Sequence, residues 1–166
     1  MRKLEKNLYF AYGSNMNLDQ MAQRCPQAEV VGPARLEGYR LAFRGNGYSG
    51  VATVLPQPGS CVEGVLWKIS ARDEMHLDYY EGYPRLYGKE MLPVTGRDGQ
   101  CSEVMVYTMN SPYRDTPAIP SRGYLNGILT GCRQNGLETQ PVKAAANTAR
   151  QEMHAGKPPR RTGQER

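Results

Sequence analysis

The sequence predicts an α+β protein whose strands form an antiparallel or barrel-like sheet that carries two or three helices. A chain of 166 residues, 39% of them hydrophobic, can supply one core of single-domain size. Its 18 glycines and 12 prolines are scattered without a repeat, which favours many short elements joined by turns. The predicted strands also follow one another in runs, unlike the strand and helix alternation of a doubly wound parallel sheet.

The first strand and the first helix have clear boundaries in the sequence. An apolar and aromatic run at residues 8–12 ends at Gly13 and predicts a buried strand. Asn17 can cap a helix, with Gln20 three residues later in a capping-box arrangement. Pro26 ends this short helix.

Three further strands are predicted before the middle of the chain. Apolar and polar residues alternate at residues 36–43 and 62–69. A short apolar strand at residues 51–55 lies between them and is broken by Pro56 and Pro58, because proline cannot donate a hydrogen bond to a sheet.

A helix is predicted to follow, with Ser70 as its cap and Tyr80 at its end. We expect Met75, Leu77 and one of the pair Tyr79 and Tyr80 to be partly buried on this helix.

The rest of the core is predicted as a hairpin and one helix. Residues 86–94 and 103–108 form two strands joined by a turn at residues 96–99. Pro120 starts a helix over residues 121–134, which Asn-Gly closes.

We assign residues 1–140 to the domain and residues 141–166 to a basic, disordered C-terminal tail. Residues 143–154 contain good helix formers but a weak apolar stripe, and residues 156–166 are polar and rich in Pro and Arg.

The basic character of the chain is concentrated at its C-terminal end. The net charge is +5 with a pI near 9.1, and residues 138–166 carry six basic side chains against three acidic ones. No aromatic residues are interleaved with these basic ones and no nucleic-acid motif is present, so we expect no nucleic-acid partner.

The sequence also predicts a cytoplasmic protein without a membrane or metal partner. No apolar run approaches the roughly 20 residues that span a bilayer, and Met1 is followed by a charged segment rather than an apolar signal region. The four cysteines lie far apart without a Cys-x-x-Cys pair, and only His76 and His154 are available as histidine ligands. The oligomeric state is left open.

Two segments are candidates for chemistry. Residues 12–16, Tyr-Gly-Ser-Asn-Met, lie between a strand and a helix, where backbone N–H groups and the helix dipole favour an anion such as a carboxylate or phosphate. The alternative is an ordinary turn, since these residue types are common in turns.

The second candidate segment contains Asp78 and Glu81, three residues apart at a helix end, beside three tyrosines. Helix-end carbonyls and aromatic neighbours disfavour the charge of Glu81 and predict a raised pKa, which suits a general base. The alternative is a solvated acid on a loop.

Three other polar residues are considered as site residues. Ser14 has no histidine partner in the predicted elements, which argues against a Ser-His-Asp hydrolase. Tyr124 is either a polar-tipped ring in a pocket or a core residue, and Tyr107 is predicted to be core.

Taken together, these segments resemble the γ-glutamyl cyclotransferase-like family, also described as avirulence-induced-gene-like proteins. Residues 9–16, Tyr-Phe-Ala-Tyr-Gly-Ser-Asn-Met, resemble the opening strand and substrate loop of the family almost residue for residue. Residues 52–54, 62–67 and 77–84, followed by Tyr107, recur in the family's order. The similarity extends over about residues 7–136.

This resemblance implies a small mixed β-barrel with flanking helices, a pocket at one barrel end and no cofactor. It implies that Glu81 is the catalytic base and that Tyr124 lines the pocket. The substrate loop that it implies consists of Tyr12, Gly13, Ser14, Asn15, Met16 and Asn17.

The implied activity is release of 5-oxoproline and an amine or amino acid from a small γ-glutamyl compound. In this reaction the substrate's α-amino group attacks its own γ-carbonyl carbon after losing a proton. The alternative is a non-catalytic relative that binds a small acidic ligand or a protein partner, since a fold alone does not fix function. The identity of the leaving amine is left open.

Overall fold

The computed structural model describes residues 5–155, in which five strands close into a barrel flanked by four α-helices. The strands are β1 Lys6–Ala11, β2 Glu29–Arg44, β3 Val51–Ser70, β4 Tyr87–Gly96 and β5 Cys101–Met109. The helices are α1 Leu18–Arg24, α2 Ala71–Glu81, α3 Arg122–Gln134 and α4 Gln140–Ala155, with 3₁₀ turns at Ser14–Met16 and Tyr113–Asp115.

The strand order around the barrel is β1-β3-β2-β4-β5. Neighbouring strands are antiparallel except at the closure, where β1 runs parallel to β5 and Tyr9 lies opposite Met105. Phe10, Phe43 and Leu36 are fully buried in the core. The prediction of a mixed barrel-like sheet with flanking helices is therefore confirmed.

Strand β3 corrects one sequence-based prediction, because it joins the two strands expected at residues 51–55 and 62–69. Its pairing with β2 shifts register, so that Glu37 lies opposite Cys61 whereas Tyr39 lies opposite Pro56. Residues 57–60 fall outside the pairing. Pro58 lies in this unpaired stretch, where no backbone donor is needed, and Pro56 is the paired residue that borders it. The ladder is therefore interrupted here without ending the strand.

The predicted helix caps Asn17 and Ser70 are confirmed, and Ser121, which was predicted to lie inside the last core helix, is its cap. The Asn17 side chain accepts a hydrogen bond from Gln20 N, and Ser121 accepts one from Tyr124 N. Ser70 and Asp73 form a reciprocal capping box at the start of α2.

The predicted apolar side of α2 is only partly correct. Leu77 is fully buried, but Met75 and Tyr79 are 70% and 91% exposed. Helix α2 contacts β3 and α1, and the buried positions of the helix are Asp73 and Leu77, four residues apart on one face. The prediction was wrong for Met75, because this narrow stripe leaves the rest of the helix in solvent. Of the tyrosine pair, Tyr80 is the less exposed, at 42%.

Helix α4 overturns the predicted disorder for residues 141–155. Its small side chains Val142, Ala145, Ala146 and Ala149 are buried, and the helix packs on β2. The buried guanidinium of Arg44 forms an ion pair of 2.8 Å with Glu152. The small alanine side chains allow α4 to lie close to β2, although the apolar stripe of this segment is weak in the sequence. Residues 156–166 of the predicted tail lie outside the described residues.

Within residues 5–155, no helix combines the length and the apolar content needed to cross a bilayer.

Candidate active site

A small pocket beside the C-terminal end of β1 brings the two candidate segments together. Its cavity volume is about 20 Å³, roughly the space of one water molecule. Its lining residues are Tyr9, Tyr12, Gly13, Ser14, Asn15, Ala52, Glu81, Tyr87, Tyr107 and Tyr124. A larger groove between the β2–β3 hairpin and α4 is lined by neither Glu81 nor the Gly13–Asn15 segment. Convergence of an acid with polar groups in a pocket makes the smaller cavity the candidate site.

The loop that forms one wall of the pocket is fixed by helix α3. Asn17 Nδ2 donates a hydrogen bond of 3.0 Å to Gly127 O, and Asn135 Nδ2 donates one of 2.9 Å to Met16 O. A Cβ atom on Gly131 would lie 2.7 Å from Asn17 N, closer than any side chain tolerates. Glycine at this position therefore allows α3 to touch the loop backbone.

Glu81 is the last residue of α2 and the carboxylic acid of the pocket lining. Gly82 ends the helix with a φ of 66°, a left-handed conformation that glycine adopts without a side-chain clash. Asn15 Nδ2 donates a hydrogen bond of 3.3 Å to Glu81 Oε1.

Burial raises the pKa of Glu81 from 4.5 to about 7, because the charged carboxylate loses its water. The positive charge of Arg24 and the hydrogen bond from Asn15 act in the opposite direction and lower this pKa. The direction of the shift agrees with the sequence-based expectation, but burial is its main cause.

Neutral tyrosines form most of the remaining wall. Burial raises the pKa of Tyr9, Tyr12, Tyr87 and Tyr124 above the ordinary range, so these phenols stay protonated. Tyr87 donates to the backbone carbonyl of Ala52, and Ala52 N donates to the Tyr124 hydroxyl at 3.0 Å. The two tyrosines therefore hold the β3 backbone at Ala52 in place beside the loop.

Asp78, the second acid of the candidate segment, does not line the pocket. It accepts a hydrogen bond of 2.6 Å from the Tyr107 hydroxyl and forms an ion pair of 2.8 Å with Lys89. These contacts tie α2 to β4 and β5 behind the pocket wall.

Most of the residues predicted for the site converge, but two do not. Tyr12, Gly13, Ser14, Asn15, Glu81 and Tyr124 all line the pocket. Met16 is fully buried in the core, and Asn17 caps α1. Neither is a lining residue, because the 3₁₀ turn directs them toward α1 and α3.

The sequence analysis missed Tyr9, Ala52 and Tyr87 as lining residues, and it assigned Tyr107 to the core alone. Tyr107 is buried as predicted, yet its ring also faces the pocket. A tyrosine in an apolar strand carries a hydroxyl that needs a partner, which was the available indication.

Ser14 has a tyrosine rather than a histidine as its partner. Its Oγ atom lies 3.0 Å from the Tyr80 hydroxyl. His76 Nδ1 instead contacts the backbone carbonyl of Arg24 at 3.0 Å. These contacts agree with the expectation that Ser14 lacks a base.

Comparisons with known proteins identify relatives of this chain. Residues 9–126 match the family model described as gamma-glutamyl cyclotransferase, AIG2-like. The chain is 34% identical over 148 residues to bovine gamma-glutamylcyclotransferase, which covers 84% of this chain and 77% of the relative. The human protein of that name is 34% identical over 142 residues, covering 80% of this chain and 73% of the relative.

A solved structure of a gamma-glutamyl cyclotransferase superimposes with a TM-score of 0.75 at 28% identity, covering 92% of this chain and all of that one. The match covers most of the barrel as well as the segments that form the pocket, so sequence and architecture agree. The chain therefore belongs to the γ-glutamyl cyclotransferase, AIG2-like family.

Proposed function

We propose that this protein is a γ-glutamyl cyclotransferase that releases 5-oxoproline and a free amine or amino acid from a small γ-glutamyl compound. The observation that carries the proposal is the position of Glu81, a partly buried acid with a pKa of about 7, against the Gly13–Asn15 segment. Family membership supports the same activity.

Glu81 acts as the general base in this proposal. Its carboxylate removes a proton from the substrate's α-ammonium group, whose nitrogen then attacks the γ-carbonyl carbon. The new carbon–nitrogen bond closes a five-membered lactam while the original amide bond breaks. The leaving nitrogen receives this proton from Glu81, and the second proton that the ring nitrogen loses passes through the same carboxylate to the released amine. The amine therefore leaves as an ammonium ion, and Glu81 returns to its starting charge.

The pocket wall supplies orientation and electrostatic stabilisation. Backbone N–H groups of the Gly13–Asn15 segment orient the substrate's α-carboxylate or stabilise the developing oxyanion. The neutral tyrosines add polar contacts without placing a second negative charge beside Glu81. Ring closure is intramolecular, so a folded substrate conformation lowers the barrier by orientation.

These steps use only groups of the substrate and of this chain, and we therefore propose that the reaction requires no metal or nucleotide. We also propose a cytoplasmic location, which is supported by four free cysteines, two of them exposed.

The test is replacement of Glu81 by Gln, assayed with a panel of γ-glutamyl compounds and mass spectrometry of 5-oxoproline. The amide preserves the shape but cannot accept a proton, so we expect turnover to fall by at least about 1,000-fold in a folded protein. Asp78→Asn is the matched control and should retain far more activity. Full activity of Glu81→Gln would exclude Glu81 as the base, and no product from the parent with any compound would favour a non-catalytic relative.

A further inference from the structure

Arg24, a residue outside the pocket lining, is connected to Glu81 through one side chain. Arg24 Nη1 donates a hydrogen bond of 2.7 Å to Asn15 Oδ1. The Nδ2 group of the same amide donates to Glu81 Oε1 at 3.3 Å and to the Tyr9 hydroxyl at 2.9 Å. Because the oxygen of Asn15 is held by Arg24, its nitrogen must face the acid.

The guanidinium of Arg24 is itself held rigidly. Its Nη2 group donates to Gln20 Oε1 at 2.7 Å, and its Cζ atom lies 3.7 Å from the centre of the Tyr80 ring. Gln20 precedes Arg24 by one turn of α1, whereas Tyr80 directly precedes Glu81 on α2. The planar cation therefore joins the two helices beside the loop, a geometry that arginine provides and lysine does not.

Without this contact the Asn15 amide could rotate by half a turn. Its carbonyl oxygen would then face the Glu81 carboxylate, and two acceptors would be in contact. The buried carboxylate would lose a hydrogen bond and gain a repulsive dipole.

We propose that Arg24 is a positioning residue, which orients the Asn15 amide toward Glu81 and thereby keeps the Glu81 carboxylate charged and directed into the pocket. This inference rests on the proposed function only in naming Glu81 as the base.

The other groups around Glu81 cannot replace this cation. The titratable side chains that face it from β1, the loop after β1, β4, β5 and α3 are the phenols Tyr9, Tyr12, Tyr87, Tyr107 and Tyr124. On its own helix, Tyr80 lies beside Arg24, and Asp78 and Glu74 are compensated by Lys89. Among the described residues, Arg24 is thus the cation whose charge acts on Glu81.

The experiment compares the parent with Arg24→Met and the control Gln20→Met. The control removes the second acceptor of the guanidinium but leaves the bond from Arg24 to Asn15. The titration of Glu81 is followed by ¹³C NMR of its side-chain carboxyl in the free protein, together with the pH profile of 5-oxoproline release. Circular dichroism establishes that each variant is folded.

In Arg24→Met we expect the midpoint of the Glu81 titration, and the acidic limb of kcat/KM, to move to higher pH by about one unit or more. Activity should recover substantially at alkaline pH, which a purely structural defect would not allow. Gln20→Met should shift both quantities far less, because the hydrogen bond from Arg24 to Asn15 and the contact of Arg24 with the Tyr80 ring remain. If Arg24→Met does not fold, Arg24→Lys replaces it, with a smaller shift expected because the charge remains without the fork of donors.

An unchanged midpoint in the folded arginine variant would overturn the inference, as would an equal shift in Gln20→Met. The NMR titration needs no substrate, so it decides the role of Arg24 even if no γ-glutamyl compound is turned over. Absence of turnover in the parent would count against the proposed function alone.

Discussion

At the scale of single residues, we propose that Glu81 transfers protons and that Gly13 allows close approach to the loop backbone. These two tasks require different residue types. Glu81 has a pKa of about 7, near the value that allows one group to accept and then return a proton at neutral pH. The absence of a side chain at Gly13 avoids crowding in the pocket. A Cβ atom there would lie 3.1 Å from the Ala52 Cβ atom and 3.5 Å from the Tyr124 hydroxyl. Close approach to the loop backbone therefore depends on glycine at this position.

We predict that Gly13→Val eliminates substrate binding, because its side chain would fill the space between the loop and Ala52. Ser14→Ala should weaken substrate binding by only about 0.5–1.5 kcal/mol, since the variant loses one neutral hydrogen bond to Tyr80. Calorimetry of ligand binding and 5-oxoproline release, measured in parallel on folded variants, provide the check. An inactive Ser14→Ala beside an active Gly13→Val would indicate serine chemistry instead.

At the scale of secondary-structure elements, the shape of the loop depends on the approach of α3. The Gly131 position has no room for a methyl group, whereas a Cβ atom on Gly123, in the first turn of the same helix, would meet no atom within 4 Å. Alanine substitution at Gly131 therefore tests close packing, whereas the same substitution at Gly123 tests helix propensity alone.

We predict opposite effects for alanine at these two positions. Gly131→Ala should destabilise the protein by about 1–3 kcal/mol and lower kcat/KM, because α3 must move away from the loop backbone. Gly123→Ala should stabilise it by up to about 1 kcal/mol through helix propensity, with activity preserved. Urea denaturation and steady-state kinetics measure the two effects, and equal stabilities for the variants would contradict this account of the α3 contact.

At the scale of the whole molecule, the buried acid reduces stability in a manner that depends on pH. The pKa of Glu81 is about 7 in the folded state against 4.5 as the ordinary value. An acid with a raised folded-state pKa destabilises the folded protein once the pH exceeds the unfolded-state value, and the effect is complete above the folded-state value. The cost therefore develops between about pH 4.5 and pH 7.

We predict that Glu81→Gln gains stability relative to the parent as the pH rises, by about 2–3 kcal/mol between pH 5 and pH 8. Denaturant unfolding at several pH values measures this difference. Glu103→Gln, at an exposed position of β5, is the control for the loss of one carboxylate. A stability difference for Glu81→Gln that is constant across this range would refute the shifted pKa.

The amino-acid sequence by itself determined the features that depend on neighbouring residues. The strand before Gly13, the caps Asn17 and Ser70, and the hairpin of β4 and β5 were all predicted from local pattern. The family was recognised for the same reason, since its motifs are short contiguous runs. Local rules work here because capping and turn formation involve atoms only a few residues apart.

Only the tertiary structure decided which of these residues meet. The hydrogen bond from the Tyr12 hydroxyl to Tyr107 O spans 95 residues of sequence, and that from Asn15 to Glu81 spans 66. The continuity of β3, the docking of α4 through alanines and the burial of Met16 in the core likewise involve contacts between segments that are distant in sequence. Such contacts depend on how distant elements are arranged around one core, and no local periodicity records that arrangement.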